Sequence, residues 1–469
     1  MDGLQASVEK MRAEGVGDAA VATFEHYYER LRAGEQGMLP EDELEPVDDL
    51  PAAEDLPPAA EDDAAAREAL DRAVVLKLNG GLGTSMGMDR AKSLLEVKDG
   101  LSFLDIIARQ VLGLRERTGA RLPLVLMNSF ATRGDSLAAL ERHPDLAADV
   151  PADFVQNKVP KVLADDLQPA RWPDDPSLEW APPGHGDVYT ALLTSGMLET
   201  LLGRGYRYAF LSNSDNLGAV LDPRILAWFA REEVPFAMEV AERTEADRKG
   251  GHIARRRDGG GLVLRETSQI RDEDAEAFQD TSRHRFFNTN NLWVDLRALR
   301  AVLARGDGVL GLPMIVNRKT VDPSDSSSPE VVQLETAMGA AIDVFEGARA
   351  LLVPRTRFLP VKTTNDLLAL RSDAYVLGDD ASVRPAPDRE GAAAPLVDLD
   401  SDHFKLLPDF EARFPAGPPS LAACERLTVA GDVRFGRGVV VRGAVRIEHA
   451  GDGQLQLEDG AVLEGDVSA

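Results

Sequence analysis

A glycine-rich stretch after a short apolar run constrains the fold of this chain more than any other feature. Residues Ala73–Leu78 are apolar except for Lys77, a pattern typical of a buried parallel strand. Four glycines follow, Gly80, Gly81, Gly83 and Gly87. Glycine lets the backbone approach a ligand closely, and successive free N–H groups can bind an anion. Because a helix capped by Ser102 is predicted over Leu101–Gln110, the strand–loop–helix order predicts a site for nucleotide phosphates.

Two common phosphate-binding loops do not match this stretch. A Walker loop ends in Gly-Lys-Ser/Thr, whereas Lys92 comes well after Gly87 and inside Ala-Lys-Ser. The dinucleotide fingerprint requires G-x-G-x-x-G, whereas this loop reads Gly81-x-Gly83-x-x-x-Gly87. The pair Lys92-Ser93 instead favours a lysine that folds back over a polyphosphate. A tight turn without a ligand is the alternative for this loop taken alone.

Strand-like and helix-like segments alternate through the middle of the chain. The pattern predicts an α/β fold with a mainly parallel sheet. The predicted strands after the first are Leu122–Met127, Phe154–Gln156, Tyr206–Leu211, Phe236–Ala241, Leu262–Arg265 and Leu292–Leu296. The predicted helices are Ser136–Arg142, Val188–Leu202, Leu226–Arg231 and Gln333–Phe345. Ligands of such sheets bind beyond the carboxyl ends of the strands, where the residues after Leu78, Met127 and Leu211 fall.

The 469 residues are too many for one compact core, and composition divides them into four parts. Residues 1–70 combine helical spacing over Ala6–Gly34 with an acidic, proline-rich connection over Pro40–Asp63 and a short helix over Ala64–Asp71. The alternating α/β pattern occupies residues 71–375, and residues 376–420 are predicted to be a linker. Residues 421–469 contain brief alternating segments separated by glycines, which favours stacked strands as in a β-helix, with a small β-sandwich as the alternative.

Charge and cysteine content exclude several classes of protein. The net charge of −27 argues against nucleic acid as a partner and requires local positive charge wherever an anion binds. Lysines are scarce among the 52 basic residues, and a lysine provides a compact ammonium charge. The candidates for this role are Lys77, Lys92, Lys249 and Lys362. The single cysteine, Cys424, provides neither a disulfide nor a thiolate metal site. The sequence contains no apolar run typical of a signal peptide or membrane span, so we expect a cytoplasmic protein without membrane partners.

The glycine loop and several later motifs resemble the eukaryotic-type UTP–glucose-1-phosphate uridylyltransferases. The resemblance runs from about residue 71 to near the C-terminus, and six or more motifs occur in the same order. The matching stretches are Val75–Gly87, Ala91–Ser93, Gln156–Pro160, Pro182–Asp187, Ser212–Gly218, Phe287–Trp293, Gln333–Gly339 and Phe358–Thr364.

This resemblance implies a fold and a reaction. The fold is a Rossmann-like nucleotidyltransferase domain, residues 71–375, with a mainly parallel sheet and a C-terminal left-handed β-helix. The reaction makes UDP-glucose and pyrophosphate from UTP and glucose 1-phosphate, with Mg²⁺ as cofactor. Since the family's β-helix often continues further, the ending at Ala469 is short. The oligomeric state is therefore left open, with self-association through the β-helix as one option.

The resemblance also implies functional residues. Lys92 and Lys362 are the expected catalytic residues, and Asp215 is the expected Mg²⁺ ligand, as suits a carboxylate at the end of an apolar strand. Gln156 is expected to read uracil, because its amide offers both a donor and an acceptor. The nucleotide-binding set is Leu78, Asn79, Gly80, Gly81, Lys92, Gln156, Gly184, Asn213, Asp215 and Lys362. The sugar-phosphate set is Gly80, Gly81, His185, Asn213, Glu266, Asn288 and Asn291.

Three other functions compete with this interpretation. A pyrophosphorylase for another sugar 1-phosphate is the nearest, although N-acetylhexosamine relatives typically carry arginine soon after Gly-Thr, where this chain has Ser85-Met86. A non-catalytic nucleotide-sugar sensor predicts loss of the metal ligand or the phosphate lysines, yet Asp215, Lys92 and Lys362 are present. A nicotinamide-dependent dehydrogenase is disfavoured by the loop spacing.

Overall fold

The computed structural model describes residues 2–58, 64–451 and 453–468. The end of the predicted acidic connection, residues 59–63, lies outside the described residues, as do positions 452 and 469 of the predicted β-helix. The α-helices are α1 Gly3–Ala13, α2 Asp18–Arg32, α3 Ala64–Asp71, α4 Phe103–Thr118, α5 Arg133–Leu140, α6 Asp187–Thr194, α7 Met197–Gly203, α8 Pro223–Arg231, α9 Ala275–Gln279, α10 Leu296–Arg305, α11 Thr364–Arg371, α12 Ser401–Phe404 and α13 Leu407–Arg413.

The strands alternate with these helices through most of the chain. They are β1 Leu44–Glu45, β2 Ala73–Asn79, β3 Glu96–Lys98, β4 Leu101–Ser102, β5 Leu124–Asn128, β6 Asp153–Val155, β7 Val159–Pro160, β8 Val162–Leu163, β9 Trp180–Ala181, β10 Tyr208–Asn213, β11 Phe236–Glu242, β12 His252–Arg256, β13 Leu262–Arg265, β14 Phe286–Asp295, β15 Met314–Thr320, β16 Glu330–Thr336, β17 Arg349–Leu352, β18 Tyr375–Leu377, β19 Val383–Pro385, β20 Leu396–Leu399, β21 Ser420–Ala430, β22 Val433–Arg434, β23 Val440–Glu448, β24 Leu455–Gln456 and β25 Val462–Ser468.

A ten-stranded mixed sheet forms the centre of the molecule, in the order β1-β12-β14-β10-β2-β5-β6 with β11, β13 and β17 attached. Strands β10, β2, β5 and β6 run parallel, as predicted, whereas β14 enters antiparallel to β10. Every residue of β2 is buried because helices cover both faces of the parallel strands. Helices α3, α4 and α8 pack on one face, and α6, α7 and α10 pack on the other.

The parallel strands end together, and this brings the predicted motifs to one edge. In the register of the sheet, Asn213 lies beside Leu78, Asn79 lies beside Asn128, and Asn128 lies beside Val155. The segments that follow these strands therefore emerge side by side. The sequence predicted this edge correctly, because each strand is a compact apolar run with polar residues at its end.

Local predictions were confirmed where the pattern was strong. Helix α3 has the predicted bounds, and α4 begins at the predicted cap, where Ser102 accepts from the Asp105 N–H in a capping box. The predicted helix Val188–Leu202 is instead two helices, α6 and α7, which are separated at Gly196 with φ 74°. The described part of the chain contains no helix with both the length and the apolar character to cross a membrane.

The predicted helix Gln333–Phe345 was wrong. Strand β16 occupies its first part, and a 3₁₀ helix, Met338–Asp343, its second. Strand β16 pairs antiparallel with β15 along its whole length and also with β8. Long-range pairing therefore overrides the helical spacing of the apolar residues.

Two segments predicted to be loose are packed. In the acidic connection, Leu44 and Val47 are buried, β1 pairs with β12, and Ala52 bridges to Leu352. The predicted linker, residues 376–420, contains strands β19 and β20, helices α12 and α13, and part of β18 and β21. Its buried Phe404 and Phe414 belong to the apolar cluster that also contains Phe103 of α4. The four-part division of the chain itself stays a prediction.

The C-terminal strands stack in parallel. Strands β20, β21, β23 and β25 form one parallel sheet, and β22 and β24 form a second. Side chains one repeat apart meet: Arg434 donates to Gln456 and Arg442 to Glu464, each 22 residues further along the chain. The predicted stacking of short strands is confirmed to this extent.

Candidate active site

The glycine loop begins where Asn79 anchors the end of β2. The Asn79 side chain is 2% exposed, and its Nδ2 donates to Asn128 Oδ1 at 2.8 Å and to Ser136 Oγ at 2.7 Å. This side chain fixes the strand end, so Asn79 can face a ligand only through its backbone. Gly81 is exposed, and a Cβ there would meet nothing within 4 Å. The loop backbone is thus open to a ligand at Gly81. The contacts of Leu78 to Gly81 with a nucleotide stay a prediction.

Gln156 lies against the same loop. A Cβ at Gly80 would lie 2.8 Å from Gln156 Oε1, so glycine at this position lets the amide sit beside the loop. The backbone N–H of Gln156 donates to the carbonyl of Asn128 at 2.8 Å, which continues the edge of the parallel sheet. The structure therefore brings together the predicted phosphate loop and the predicted base-reading amide.

Lys92 folds back beneath the loop and pairs with Asp215. Gly83 and Gly87 have φ of 68° and 72°, a conformation that glycine adopts readily, and they turn the chain so that the Lys92 N–H donates to the Gly81 carbonyl at 3.0 Å. Lys92 Nζ lies 2.7 Å from Asp215 Oδ2. The two side chains are 15% and 22% exposed. The sequence predicts that Lys92 meets phosphate and that Asp215 binds the metal, yet in the structure the two side chains are hydrogen-bonded to each other.

The segment that carries Lys362 packs against the residues around Asp215. The Val361 N–H donates to the Asp215 carbonyl at 3.2 Å, and the Leu359 N–H donates to Asn216 Oδ1 at 2.8 Å. Lys362 itself is exposed at the rim. Burial raises the pKa of Glu266, and the positive charge of Lys362 nearby opposes this rise. Lys92, Asp215, Lys362 and Glu266 are therefore neighbours at this edge of the sheet, and we call the region between them the cleft.

A buried network that the sequence analysis missed holds this segment in place. Arg357 donates to both carboxylate oxygens of Glu239, at 2.7 and 2.6 Å, and Trp293 Nε1 donates to Glu239 at 3.0 Å. The Arg357 carbonyl accepts from the amides of Asn291 and Asn216. Glu239 is fully buried within strand β11, whereas the other carboxylate of this strand, Glu242, is exposed at the strand end. The carboxylate in the middle of the apolar run Phe236–Ala241 was the available signal, because a buried charge requires a partner.

Asn291 belongs to this network rather than to the cleft. It is fully buried, its Nδ2 donates to Glu239 at 3.0 Å and to the Arg357 carbonyl, and its Oδ1 accepts from Asn216 at 3.2 Å. No amide hydrogen is left for a sugar hydroxyl. The predicted sugar contact at Asn291 therefore needs correction: this residue positions the segment of Arg357 and supports the cleft from behind.

Glu266 and Asn288 form one wall of the cleft. A Cβ at Gly251 would lie 2.5 Å from Glu266 Oε2, and the Gly251 carbonyl accepts from the Asn288 N–H at 3.3 Å. Asn288 Nδ2 donates to Asn290 Oδ1 at 2.8 Å. The glycine pair after Lys249, Gly250 and Gly251, thus has a structural role, because Gly251 leaves room for the Glu266 carboxylate. Lys249 itself is exposed.

His185 and Gly184 form a second wall of the cleft, which packs on Met338 and Thr336. A Cβ at Gly184, whose φ is 78°, would lie 2.4 Å from the Thr336 carbonyl oxygen, so only glycine fits. The Met338 N–H donates to His185 Nδ1 at 3.0 Å, which leaves the proton of the neutral ring on Nε2. The residue as a whole is exposed, but the surrounding protein removes water from the ring, and this desolvation lowers the pKa of His185 to about 4. His185 can therefore donate from Nε2 as a neutral ring.

Lys77 is a structural residue. It is 1% exposed, and its Nζ donates to Ser212 Oγ at 2.7 Å and to the Ala219 carbonyl at 2.8 Å. Burial lowers the pKa of Lys77 to about 7. The lysine joins β2 to the loop after β10 beneath the cleft and is not placed to meet a phosphate.

The residues at the strand edge fit a magnesium ion that is shared with phosphates. Asp215 supplies one partly exposed carboxylate at the rim, and Asn213 ends β10 beside Leu78, with its side chain partly exposed. Mg²⁺ typically takes one or two carboxylates and completes its shell with water and substrate phosphates. Lys92 occupies Asp215 Oδ2, so an ion that binds through this oxygen would displace the lysine.

Comparison with known proteins places the chain in a family. The profile of the UTP–glucose-1-phosphate uridylyltransferase family matches residues 21–442. The chain is 41% identical over 405 residues to the UTP–glucose-1-phosphate uridylyltransferase of Solanum tuberosum, covering 86% of this chain and 82% of that protein. It is 40% identical to the probable UTP–glucose-1-phosphate uridylyltransferase of Schizosaccharomyces pombe, covering 85% of this chain and 77% of that protein.

Solved structures give the same result over the whole chain. A mutant UDP-glucose pyrophosphorylase from Leishmania major, in complex with UDP-glucose, has a TM-score of 0.93 and 48% identity, with coverage of 100% of this chain and 99% of that chain. The UDP-glucose phosphorylase from Trypanosoma brucei has a TM-score of 0.91 and 45% identity, with the same coverage. The chain therefore belongs to the UTP–glucose-1-phosphate uridylyltransferase family.

Proposed function

We propose that this protein is a UTP–glucose-1-phosphate uridylyltransferase that makes UDP-glucose and pyrophosphate. The observation that carries the proposal is a chain of contacts at the carboxyl edge of the parallel sheet: Lys92 bonds to the glycine loop and to Asp215, and the segment of Lys362 bonds to Asp215. Family membership supports the same reaction. Both substrates are anionic, so the site must neutralise charge and align the groups rather than supply a nucleophile.

The chemical step is a nucleotidyl transfer, in which the uridylyl group of UTP passes to glucose 1-phosphate. An oxygen of the glucose 1-phosphate group forms a bond to the α-phosphorus of UTP. The bond from that phosphorus to the oxygen that bridges to the β-phosphorus breaks, and its electron pair leaves with pyrophosphate. The two bonds lie in line, as is general for such transfers. No covalent intermediate with the protein is needed.

Each part of the cleft has a role in this step. The backbone of the loop from Leu78 to Gly81 holds the nucleotide, and Lys92 lies over its phosphates once it leaves Asp215. Lys362 stabilises the charge that builds up between the two reactants. When bound at Asp215, Mg²⁺ supplies further positive charge beside the phosphate oxygens.

The two walls recognise the rest of the substrates. Gln156, beside Gly80, reads uracil with its amide, and Gly184 approaches the base. His185 donates from Nε2 to the sugar phosphate, and Asn213 lies beside the phosphates. Glu266 and Asn288 offer an acceptor and a donor to the glucose hydroxyls.

Pyrophosphate release with UTP and a panel of sugar 1-phosphates tests the proposal. We expect release with glucose 1-phosphate and Mg²⁺, and little without Mg²⁺. Faster turnover with galactose or N-acetylhexosamine 1-phosphate would assign the chain to another sugar. Tight UDP-glucose binding without turnover would make the protein a sensor.

We further propose that strands β20 to β25 are turns of a left-handed β-helix through which the protein self-associates in the cytoplasm. The parallel pairing of these strands and the side-chain bonds between residues 22 positions apart support the helix. Strand β25 is the outer strand of its sheet, and Val462 is 52% exposed, which supports association at this end. Sedimentation of the full chain and of Val462→Asp is expected to reveal a dimer that the substitution dissociates. A monomer at all concentrations would refute the association.

A further inference from the structure

A buried carboxylate outside the proposed chemistry joins the two segments that face the base. Asp187 is 5% exposed and begins α6. Its Oδ2 accepts from the Asn157 N–H at 2.6 Å, and its Oδ1 accepts from Asn157 Nδ2 at 2.8 Å. Hydrogen bonds with an ionised acceptor are roughly twice as strong as neutral ones. Asp187 thus holds the backbone and the side chain of the residue next to Gln156.

The position of Asp187 is itself fixed by contacts of the preceding residue with strand β16. The Gly186 N–H donates to the Thr336 carbonyl at 2.8 Å, and a Cβ at Gly186 would lie 2.4 Å from Thr336 Oγ1. Gly184 is held against the same residue. The two bonds to Asn157 therefore link the segment of Gln156 to a segment that packs rigidly on β16.

An apolar enclosure surrounds this link. A small cavity beside Asp187 and Asn157 is lined on its far side by Phe24 and Tyr27 of α2 and by Leu312. Among the described residues that line this cavity, Tyr27 is the only other titratable group, and its hydroxyl donates to the Leu312 carbonyl at 2.9 Å. Burial raises the pKa of Asp187 to about 7, against the effect of its bonds to Asn157. A neutral side chain would cost the fold less at this position.

We propose that Asp187 is a positioning residue that sets the preference for uracil, by fixing Gln156 through Asn157. The proposal rests on the proposed function, in which Gln156 reads the base. Gln156 discriminates uracil from cytosine only if its amide is held in one place, because the two bases present opposite donors and acceptors at neighbouring positions. The carboxylate supplies that restraint from a place that no substrate atom needs to reach.

The test compares kcat/KM for UTP and CTP in pyrophosphate release with glucose 1-phosphate. Asp187→Ala is expected to lower the UTP/CTP ratio at least about tenfold, mainly through a higher KM for UTP. Asp187→Asn should recover part of the ratio, because the Asn157 side-chain amide can rotate so that its oxygen accepts from the new amide. Its Nδ2 would then donate to Thr194 Oγ1, which in the parent donates to Asn157 Oδ1 at 3.1 Å. The exposed Asp174→Asn is the matched control and should leave the ratio unchanged.

A thermal melt separates positioning from a merely structural role. The folded-state pKa of Asp187, about 7, lies above the value of about 4 that it has in an unfolded chain. The unfolded chain therefore ionises first, and the free energy of unfolding falls as pH rises from about 4 to 7. Asp187→Asn does not ionise, so it should melt no lower than the parent protein at pH 8, while its UTP/CTP ratio is reduced. A residue needed only for the fold would give a lower melting temperature and an unchanged ratio.

Two further variants make every outcome decisive. If Asp187→Ala does not fold, Asn157→Ala removes one of the two bonds and should lower the ratio by a smaller factor. A ratio within about twofold of the parent, in whichever of these variants folds, would overturn the proposal.

Gln156→Ala in the same assay then shows how far that failure extends. If Gln156→Ala lowers the ratio, only the role of Asp187 fails; if it does not, the base-reading assignment fails as well. A parent protein that releases no pyrophosphate would instead refute the proposed function.

Discussion

Lys92 Nζ lies 2.7 Å from Asp215 Oδ2, so the lysine proposed for phosphate neutralises the carboxylate proposed for Mg²⁺. The free protein thus carries its own cation at the proposed metal site. Nucleotide phosphates and Mg²⁺ would replace this pair together, since phosphate attracts Lys92 as Mg²⁺ takes Asp215. The two ligands are therefore expected to bind cooperatively.

The first prediction concerns this exchange. Lys92→Gln removes the competing cation, so Mg²⁺ or Mn²⁺ should bind the nucleotide-free protein about threefold more tightly or better, given the usual strength of a partly exposed ion pair. Calorimetric titration of the metal without UTP measures this affinity. Asp215→Asn is the control and should abolish the gain in a Lys92→Gln background. Equal metal affinity in the parent and Lys92→Gln would show that the pair does not mask the site.

The second prediction concerns Asp215 in turnover. Asp215→Asn preserves the shape of the side chain, so the melting temperature should change little. We expect most of kcat to be lost and the dependence on Mg²⁺ to weaken, because an amide is a poorer ligand than a carboxylate. Initial rates against Mg²⁺ concentration test this. An unchanged rate with an unchanged metal dependence would remove Asp215 from the site.

The third prediction concerns Lys362. Removal of one preorganised charge-stabilising donor typically costs ~10²–10³ in turnover, so Lys362→Ala should lower kcat by about this factor. UTP binding should change less, because the loop and Lys92 still hold the nucleotide. Lys362→Arg should restore activity only in part, since a planar guanidinium differs in shape from a compact ammonium. Steady-state kinetics and calorimetry check both variants, and a loss below about tenfold would make Lys362 an ordinary surface lysine.

The fourth prediction concerns the protonation of His185. Because its pKa is lowered to about 4, the ring is neutral at pH 7 and acts as an Nε2–H donor rather than as a cation. NMR titration of the ring should give a midpoint well below 6.5, and His185→Gln, which keeps an N–H donor, should retain more activity than His185→Leu. A midpoint near 6.5 would contradict the crowding that we infer in the cleft.

The sequence predicted the edge of the sheet because the determinants are local. The apolar run of β2, the glycines after it and the cap at Ser102 lie close together in the chain, and each acts through short-range physics. The approach of Lys92 to Asp215 was not predicted, since these residues lie 123 positions apart. Only the parallel register of β2 and β10 brings them together.

The errors have a common cause in long-range packing. The motif of Asn291 predicts a sugar contact. In the structure its side-chain N–H groups instead donate to Glu239 and to the Arg357 carbonyl, which lie 52 and 66 residues away in the chain. Similarly, the segment that begins at Gln333 has helical spacing, yet pairing with β15 makes it a strand. Spacing reveals which residues are apolar, whereas the partner of a polar side chain depends on the whole fold.

The fate of the α-phosphorus of UTP tests the central claim most directly. We would incubate the protein with glucose 1-phosphate, Mg²⁺ and UTP that is radiolabelled at the α-phosphorus, and separate the products. The account predicts that all of the transferred label appears in UDP-glucose, with an equal amount of unlabelled pyrophosphate. Label in free UMP would indicate attack by water, and label in UDP with release of orthophosphate would place the cleavage at the γ-phosphorus. Either result would contradict attack by the sugar phosphate on the α-phosphorus at this site.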